Sequence, residues 1–465
     1  MTTGGSEARA AVEAVARLRE SFAAGITRPL GWRRAQLAAL ERLLAEQAGA
    51  IEAAVGADLG RPSIEAFLAD VASVRRELAA LQAGLGRWAR PERVRVPLAL
   101  FGARACVRRE PLGVVLVVAP WNYPVNLVLA PLAAALAAGN CVLASPSEHA
   151  PACSSLLAEL LPRYLDERCV AVVEGGGEVT QAAIAARVDH VFFTGSATIA
   201  RSVMAAAAAT LTPVTLELGG KSPALVWHDA EVRAAARRIA WGRFFNAGQT
   251  CLAPDYVLVH RSVAGELVEA LAQEVARFYG PDPAASPDLA RIVDDRHVER
   301  LAALLRDHGG TVVTGGSVDR ARRYVAPTIL LGVDLDAPVM REEIFGPILP
   351  VVPVADLEEA LSIIDDRPTP LGVYVFARDR ALLETVLERT RSGAFVVNSV
   401  LEHFAVPGLP FGGLGESGTG AYHGRWGFET FSHRRAVLRR RSARDLPVVY
   451  PPYRRARAAL LRRFA

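Results

Sequence analysis

Apolar side chains recur three and four positions apart over 7–27 and 32–56, the spacing of helices that bury one face. A third such stretch covers 63–88. Pro62 stands where it can open that helix, since the N–H it lacks would be unpaired in the first turn. The pattern then switches. Residues 94–100 and 103–109 alternate around Phe101 and Gly102, which predicts a hairpin, and Pro97 suits an edge strand. Strands that leave the body of a protein in this way often serve an oligomer interface. From Gly113 to Pro120 the run is apolar throughout, as in a strand covered on both faces. A helix rich in Ala and Leu follows at about 125–138, then a strand at 140–144 and a helix at 150–161. A strand at 169–174 leads into Gly175–Gly177, and further strands fall at 190–196 and 213–218 with a helix at 197–209 between them. This alternation predicts a doubly wound parallel sheet able to hold a dinucleotide.

Past Lys221 the alternation repeats. Strands are expected at 224–227, 256–260, 311–314, 324–330, 373–376 and 394–398. Helices are expected from 228 to about 245 and at 262–277, 295–308, 355–365 and 379–391. That is a second α/β domain. No internal repeat suggests a solenoid.

Composition narrows the picture. A chain of 465 residues, 51% hydrophobic, can bury more than one core. Its five cysteines form no CxxC pair, which argues against a disulfide framework or a zinc site, so no metal is expected. A reducing, cytoplasmic setting fits. The N-terminus carries no apolar signal region. The longest uncharged stretch, Pro111 to Ser147, is interrupted by prolines and asparagines and reads as strand, helix and strand, not as a membrane span. Net charge is +4, unevenly spread: Arg434 to Ala465 holds eleven arginines and one aspartate, so the remainder is acidic. Nucleic acid is not expected as a partner. Weak peripheral contact with an anionic membrane is one role such a tail could take. Lys221 is the single lysine, and Arg does not replace Lys where a compact ammonium is needed.

Two segments carry candidate chemistry: GluLeuGlyGlyLysSerPro (217–223) and PheAsnAlaGlyGlnThrCys (245–251). The Cys251 thiol can attack an electrophilic carbon and form a covalent intermediate. The Glu217 carboxylate can activate the water that releases it. Gly219, Gly220 and Gly248 allow a flat ligand to approach the backbone.

Together with ProTrpAsnTyrPro (120–124), ProSerGlu (146–148), PheThrGlySer (193–196), GluGluIlePheGlyPro (342–347) and LeuProPheGlyGlyLeuGly (409–415), these segments resemble the motifs of the NAD(P)-dependent aldehyde dehydrogenases. The resemblance spans about Trp32 to Tyr453. CysLeuAlaProAspTyrVal (251–257), GluHisPhe (402–404), TyrHisGly (422–424) and PheGluThrPheSerHisArg (428–434) are similar to the class 3 branch, the usually dimeric enzymes of fatty and aromatic aldehydes. The resemblance implies an aldehyde dehydrogenase-like α/β fold. A cofactor domain would span 1–92 and 110–215, and a catalytic domain 216–408. A bridging element at 93–109 and 430–445 would support a homodimer, with a basic tail at 446–465. It implies oxidation of a hydrophobic aliphatic or aromatic aldehyde through a thiohemiacetal and thioester on Cys251. The Asn122 amide and the Cys251 N–H would serve as oxyanion donors, and Glu217 would activate water. For the cofactor it implies Pro120, Trp121, Ser145, Glu148, Thr194, Gly195, Ser196, Leu218, Gly219, Glu343 and Phe345. Glu148 would meet ribose hydroxyls, Gly195 and Ser196 the pyrophosphate, and Glu343 and Phe345 the nicotinamide end.

Two positions depart from the family pattern. Ser145 stands where a Lys usually precedes ProSerGlu, and Ala200 where a Gly usually follows PheThrGlySer by one turn. Glu148 would repel a 2′-phosphate, so NAD is favoured with NADP as the second cofactor. Ser145 and Ala200 also motivate an alternative, a non-catalytic NAD-binding scaffold. A third reading, a CoA-acylating dehydrogenase, is opposed by the presence of Glu217.

Overall fold

The computed structural model describes residues 3–97, 100, 102–440, 450–452 and 455. Helices at Thr3–Ala23, Leu30–Glu46 and Ala48–Leu59 precede a helical run from Ser63 to Trp88 that widens into a π turn at Phe67–Ala72. The stretch expected as one helix over 32–56 is broken at Gln47, whose side chain turns to the Tyr164 hydroxyl at 3.1 Å. Strands β1 (Glu92–Val94), β2 (Arg104–Pro111), β3 (Val114–Val118), β4 (Cys141–Ser145), β5 (Val170–Val172), β6 (His190–Thr194) and β7 (Val214–Glu217) follow. The second half contributes β8 (Pro223–Val226), β9 (Tyr256–His260), β10 (Thr311–Thr314), β11 (Val318–Asp319), β12 (Tyr324–Val325), β13 (Thr328–Leu331), β14 (Ile348–Val354), β15 (Gly372–Phe376) and β16 (Ala394–Val397). The last two strands are β17 (Gly418–Thr419) and β18 (Ser432–Arg439).

One six-stranded sheet runs in the order β17-β7-β6-β3-β4-β5, parallel except for β17. The chain moves outward from β3 through β4 to β5 and then returns to the other side of β3 with β6. The carboxyl ends of β3, β4 and β6 therefore flank a topological switch point, where open α/β sheets bind ligands. β3 and β4 are buried on both faces, and the helix Asn126–Ala138 between them is buried along its whole length, with Pro131 inside it. A seven-stranded sheet, β10-β13-β14-β9-β8-β15-β16, is parallel except for its edge strand β10. Its strand β14 is absent from the pattern reading because Pro350 and Pro353 interrupt the run, and proline argues against an interior strand.

A three-stranded sheet, β1-β2-β18, completes the fold. The hairpin is shorter than its alternation suggested. β1 ends at Val94, residues 95–97 carry no strand, and Leu98, Ala99 and Phe101 lie outside the described residues. β2 instead pairs along its full length with β18, from Ser432 opposite Pro111 to Arg439 opposite Arg104. Residues 441–449 and most of 453–465, hence most of the basic tail, lie outside the described residues. No helix among the described residues is long and apolar enough to cross a membrane.

Asn140 fastens β18 to the six-stranded sheet. Fully buried, it accepts from the Gly113 N–H at 3.0 Å and donates to the carbonyls of Ala135 (3.0 Å) and Phe431 (2.9 Å). Asn140→Ala leaves these groups buried and unpaired, and the expected loss is about 1–3 kcal/mol of stability in a urea titration. An unchanged midpoint would show that the junction is held by apolar packing alone.

Candidate active site and dinucleotide cleft

Glu217 is the last residue of β7, at the centre of a wall built from both ends of the chain. β17 places Gly418 opposite it, and the Leu218 N–H donates to the Ser417 carbonyl at 3.1 Å. The side chain is buried, and neither carboxylate oxygen has a hydrogen-bond partner. Burial holds this carboxyl well above its ordinary range.

Cys251 is presented by a strained loop. Asn246 (φ 53°) and Ala247 (φ 51°) both lie in the left-handed region, a cost of about 1–3 kcal/mol for a residue such as Ala. Side chains enforce it. Arg61 donates to Asn246 Oδ1 at 2.9 Å, and Glu65 accepts from the Asn246 N–H at 3.0 Å. Gln249 donates to the carbonyls of Asn246 and Arg291 and accepts from the Val293 N–H, each at 3.0 Å. Gly248 (φ 74°) is required twice over, since a Cβ there would lie 2.2 Å from the Gly346 carbonyl oxygen. The Cys251 thiol is pushed up to about 12, first by burial and then by the facing carboxylates of Glu343 and Glu217.

Cys251, Glu217, Leu218 and Thr194 line one cavity of about 260 Å³. Its wall is mostly apolar, with Leu68, Leu127, Trp241, Phe245, Phe404 and Phe411 among its residues. Leu68 and Ala69 reach it from the π turn, a distortion often found at functional sites. A second cavity of about 290 Å³ opens at the switch point. Pro120, Trp121, Ser145, Glu148, Thr194, Gly195 and Ser196 all line it. Thr194 borders both cavities and pairs with Glu217 across β6 and β7.

Four expected site residues line neither cavity. Asn122 is buried beside the Cys251 loop: its amide donates to the Gln249 carbonyl at 3.0 Å, while its Oδ1 is unpaired. Gly219 is covered by Glu343, whose Oε1 would lie 2.1 Å from a Cβ at that position. The Glu343 carboxyl is raised to about 7, first by burial and then by Asp255. Phe345 (φ 46°) meets the Trp121 ring edge-to-face at 5.4 Å.

The residues of the second cavity fit a dinucleotide. Gly175–Gly177 and Gly195 leave backbone uncovered there, and the Thr194 hydroxyl is buried without a partner. Ser196 caps the helix Ala197–Ala208, accepting from the Ile199 N–H at 3.4 Å. Ala200 packs into the core beneath the sheet and does not line the cleft, so its extra methyl is absorbed on the far side of its helix. Ser145 does line the cleft and supplies no charge there. Among the lining residues the one Lys or Arg is Arg296, on the helix Asp295–Leu304. Arg296, His297 and Gly175–Gly177 were missed from the pattern. The glycine run after β5 was the available signal, whereas Arg296 and His297 arrive from the second half of the chain.

A family model, "Aldehyde dehydrogenase family", matches residues 2–437. Human "Aldehyde dehydrogenase family 3 member B1" is 46% identical over 96% of this chain and 95% of its own length. Rat "Aldehyde dehydrogenase, dimeric NADP-preferring" is 46% identical over 92% of this chain and 94% of its own. The substrate-bound structure of Staphylococcus aureus AldH superposes with a TM-score of 0.94 at 38% identity, covering 97% of this chain and 98% of that one. The chain belongs to the aldehyde dehydrogenase family. It is an NAD(P)-dependent oxidoreductase of aldehydes whose relatives include family 3 members.

Three signature segments are tied together by one carboxylate. Asp255 accepts from Lys221 Nζ at 2.5 Å, from Arg243 at 3.0 Å and from the Ile344 N–H at 3.1 Å. The Lys221 ammonium places its other two protons on the carbonyls of Val339 and Glu342, each at 2.9 Å. Asp255→Ala strands two buried cations, and the expected cost is about 3–5 kcal/mol, read as a lowered denaturant midpoint.

Glu217 is buried at a cost to the fold. Its raised pKa means the folded state binds the proton more tightly than the unfolded chain. Stability is therefore fully present below the ordinary carboxyl pKa and is lost as pH climbs toward the raised value. Denaturation of Glu217→Gln should show a gain over the unsubstituted protein that grows from acid to alkaline pH. A gap that shrinks with pH would mean that the carboxylate is paired.

Proposed function

We propose that the apolar cavity binds a hydrophobic aliphatic or aromatic aldehyde and that Cys251 and Glu217 oxidise it to the carboxylic acid. One observation carries this reading: a thiol and an unpartnered buried carboxyl share an apolar cavity that meets the dinucleotide cleft at Thr194. Cys251 gives up its proton to solvent and its sulfur bonds to the aldehyde carbon as the carbonyl π pair moves onto oxygen, giving a thiohemiacetal oxyanion. The second amide proton of Asn122 and the Cys251 N–H stabilise the oxyanion. Glu148, Gly195, Ser196, Trp121 and Glu343 would hold NAD(P), which when bound would supply the hydride acceptor. Loss of hydride from the thiohemiacetal carbon leaves a thioester. Glu217 takes a proton from water, which attacks the thioester, and the acid departs with Cys251 as thiolate. Leu218 and Gly219 carry the chain past the reacting centre, and Pro120 and Phe345 wall the cofactor end.

Glu148 on the cleft wall disfavours a 2′-phosphate, so NAD is the preferred cofactor in this reading. A homodimer built through β1, β2 and β18, in a cytoplasmic setting, belongs to the same reading. The rat relative, whose name says dimeric, is consistent with it.

NADH formation should be measured with short and long alkanals and with benzaldehyde and cinnamaldehyde, using NAD and then NADP. Cys251→Ala should abolish it. Glu217→Gln should give a burst of about one NADH per site and then turnover lowered about 10²–10⁴-fold. Loss of turnover with no burst would place Glu217 in the first half-reaction. Because both side chains titrate above their ordinary ranges, kcat/KM should rise from neutral into alkaline pH. A profile flat over that range would contradict a thiol activated by deprotonation.

A further inference from the structure

The cavity around Cys251 has two charged residues besides Glu217, namely Arg76 and Glu402. They are not equivalent. Glu402 is engaged, since the Ser399 hydroxyl donates to its Oε2 at 2.6 Å. Arg76 makes no hydrogen bond or ion pair among the described residues. Its neighbours in sequence are both committed. Arg75 pairs with Glu41 at 3.0 Å, and Glu77 accepts from the Gly424 N–H at 2.8 Å. Arg76 is exposed, yet it lines the same cavity as Cys251 and, with Ser73 and Asn126, borders a small recess beside it. A molecule that fills this cavity can meet the thiol, a mostly apolar wall and one unpaired guanidinium.

We propose that Arg76 recognises a carboxylate at the far end of the substrate, so that the preferred aldehydes are semialdehydes of long dicarboxylic acids over plain alkanals. The inference rests on the reading of this cavity as the aldehyde site and adds the chemistry of the substrate's tail. A guanidinium matches a carboxylate with two parallel N–H donors. A mostly apolar lining suits a methylene chain that links the two ends. A single cation, with Glu402 in the same wall, suits one negative charge better than a doubly charged phosphate. The stem of Arg76 also offers methylenes to the chain it receives.

The test is steady-state NADH kinetics with azelaic semialdehyde and nonanal, which have chains of equal length. The unsubstituted protein is compared with Arg76→Gln and Arg76→Glu. The readout is the ratio of kcat/KM for the two aldehydes, in which any effect common to both cancels. Arg76→Gln should lower the ratio about three- to fivefold, as expected for one partly screened ion pair, and Arg76→Glu should lower it further. The change should lie in KM, since the tail is bound alike before and during reaction. In the unsubstituted protein, added KCl should raise KM for the semialdehyde and leave that for nonanal in place. Turnover with a ratio unchanged in both variants, or with nonanal losing as much as the semialdehyde, overturns this proposal alone. No turnover of either aldehyde by the unsubstituted protein overturns the oxidation reading and this proposal with it.

Discussion

The carboxylate of Asp255 is the point on which the site's geometry depends. It is buried between Lys221, from the segment that holds Glu217, and the fully buried Arg243, from the helix before the Cys251 segment. Lys221 follows the strand that ends in Glu217. Arg243 lies on the helix that leads into the Cys251 loop. The Ile344 N–H, next to Glu343, completes the set. Two cations against one aspartate leave positive charge in a dry interior, where unpaired charge is expensive. Glu343 offsets it from across Gly219 and Gly220, and its attraction acts on both Arg243 and Lys221. The single lysine of the chain has a physical reason. Three acceptors surround a point, and a planar guanidinium would not fit them.

A similar device controls the entrance side. The Arg61–Asp70 pair, at 2.7 Å with both side chains inaccessible, sits in the π turn. Asp70 accepts from the N–H groups of Val125 and Asn126, while Arg61 reaches the Asn122 carbonyl and Asn246. The helix that supplies Leu68 and Arg76 to the cavity is thereby locked to the turn that carries Asn122 and to the loop that carries Cys251.

Much of the site was legible because each motif is a contiguous segment whose neighbours in sequence remain neighbours in space. Thr194 ends β6 and Gly195 and Ser196 follow it, while Ser145 ends β4 and Glu148 follows it. The parallel alternation likewise revealed the sheet that holds them. What was hidden depended on tertiary context. β14 carries two prolines that local rules forbid in an interior strand. The long partner of β2 was hidden as well, because β18 lies more than three hundred residues away in sequence and pairs with the edge of β2 opposite β1. Helical periodicity assigns faces on a regular turn, so the π turn at Phe67–Ala72 re-aims Leu68 and Ala69 in a way that no 3.6-residue pattern shows. The concern over Ala200 dissolved for the opposite reason: it faces the core, where a methyl is welcome.

The charge states of Cys251 and Glu217 explain how such a fold tolerates its own chemistry. A buried carboxylate with no donor, beside a buried thiolate, would place two like charges in an apolar cavity. Desolvation raises both groups, and for Cys251 the carboxylates of Glu343 and Glu217 add to it, so both hold their protons more tightly than in water. A protonated Glu217 leaves its unpartnered oxygens at far lower cost than an ion would. In the proposed oxidation charge appears one group at a time, first at sulfur and later at Glu217, so the two like charges need never coexist in the apolar cavity.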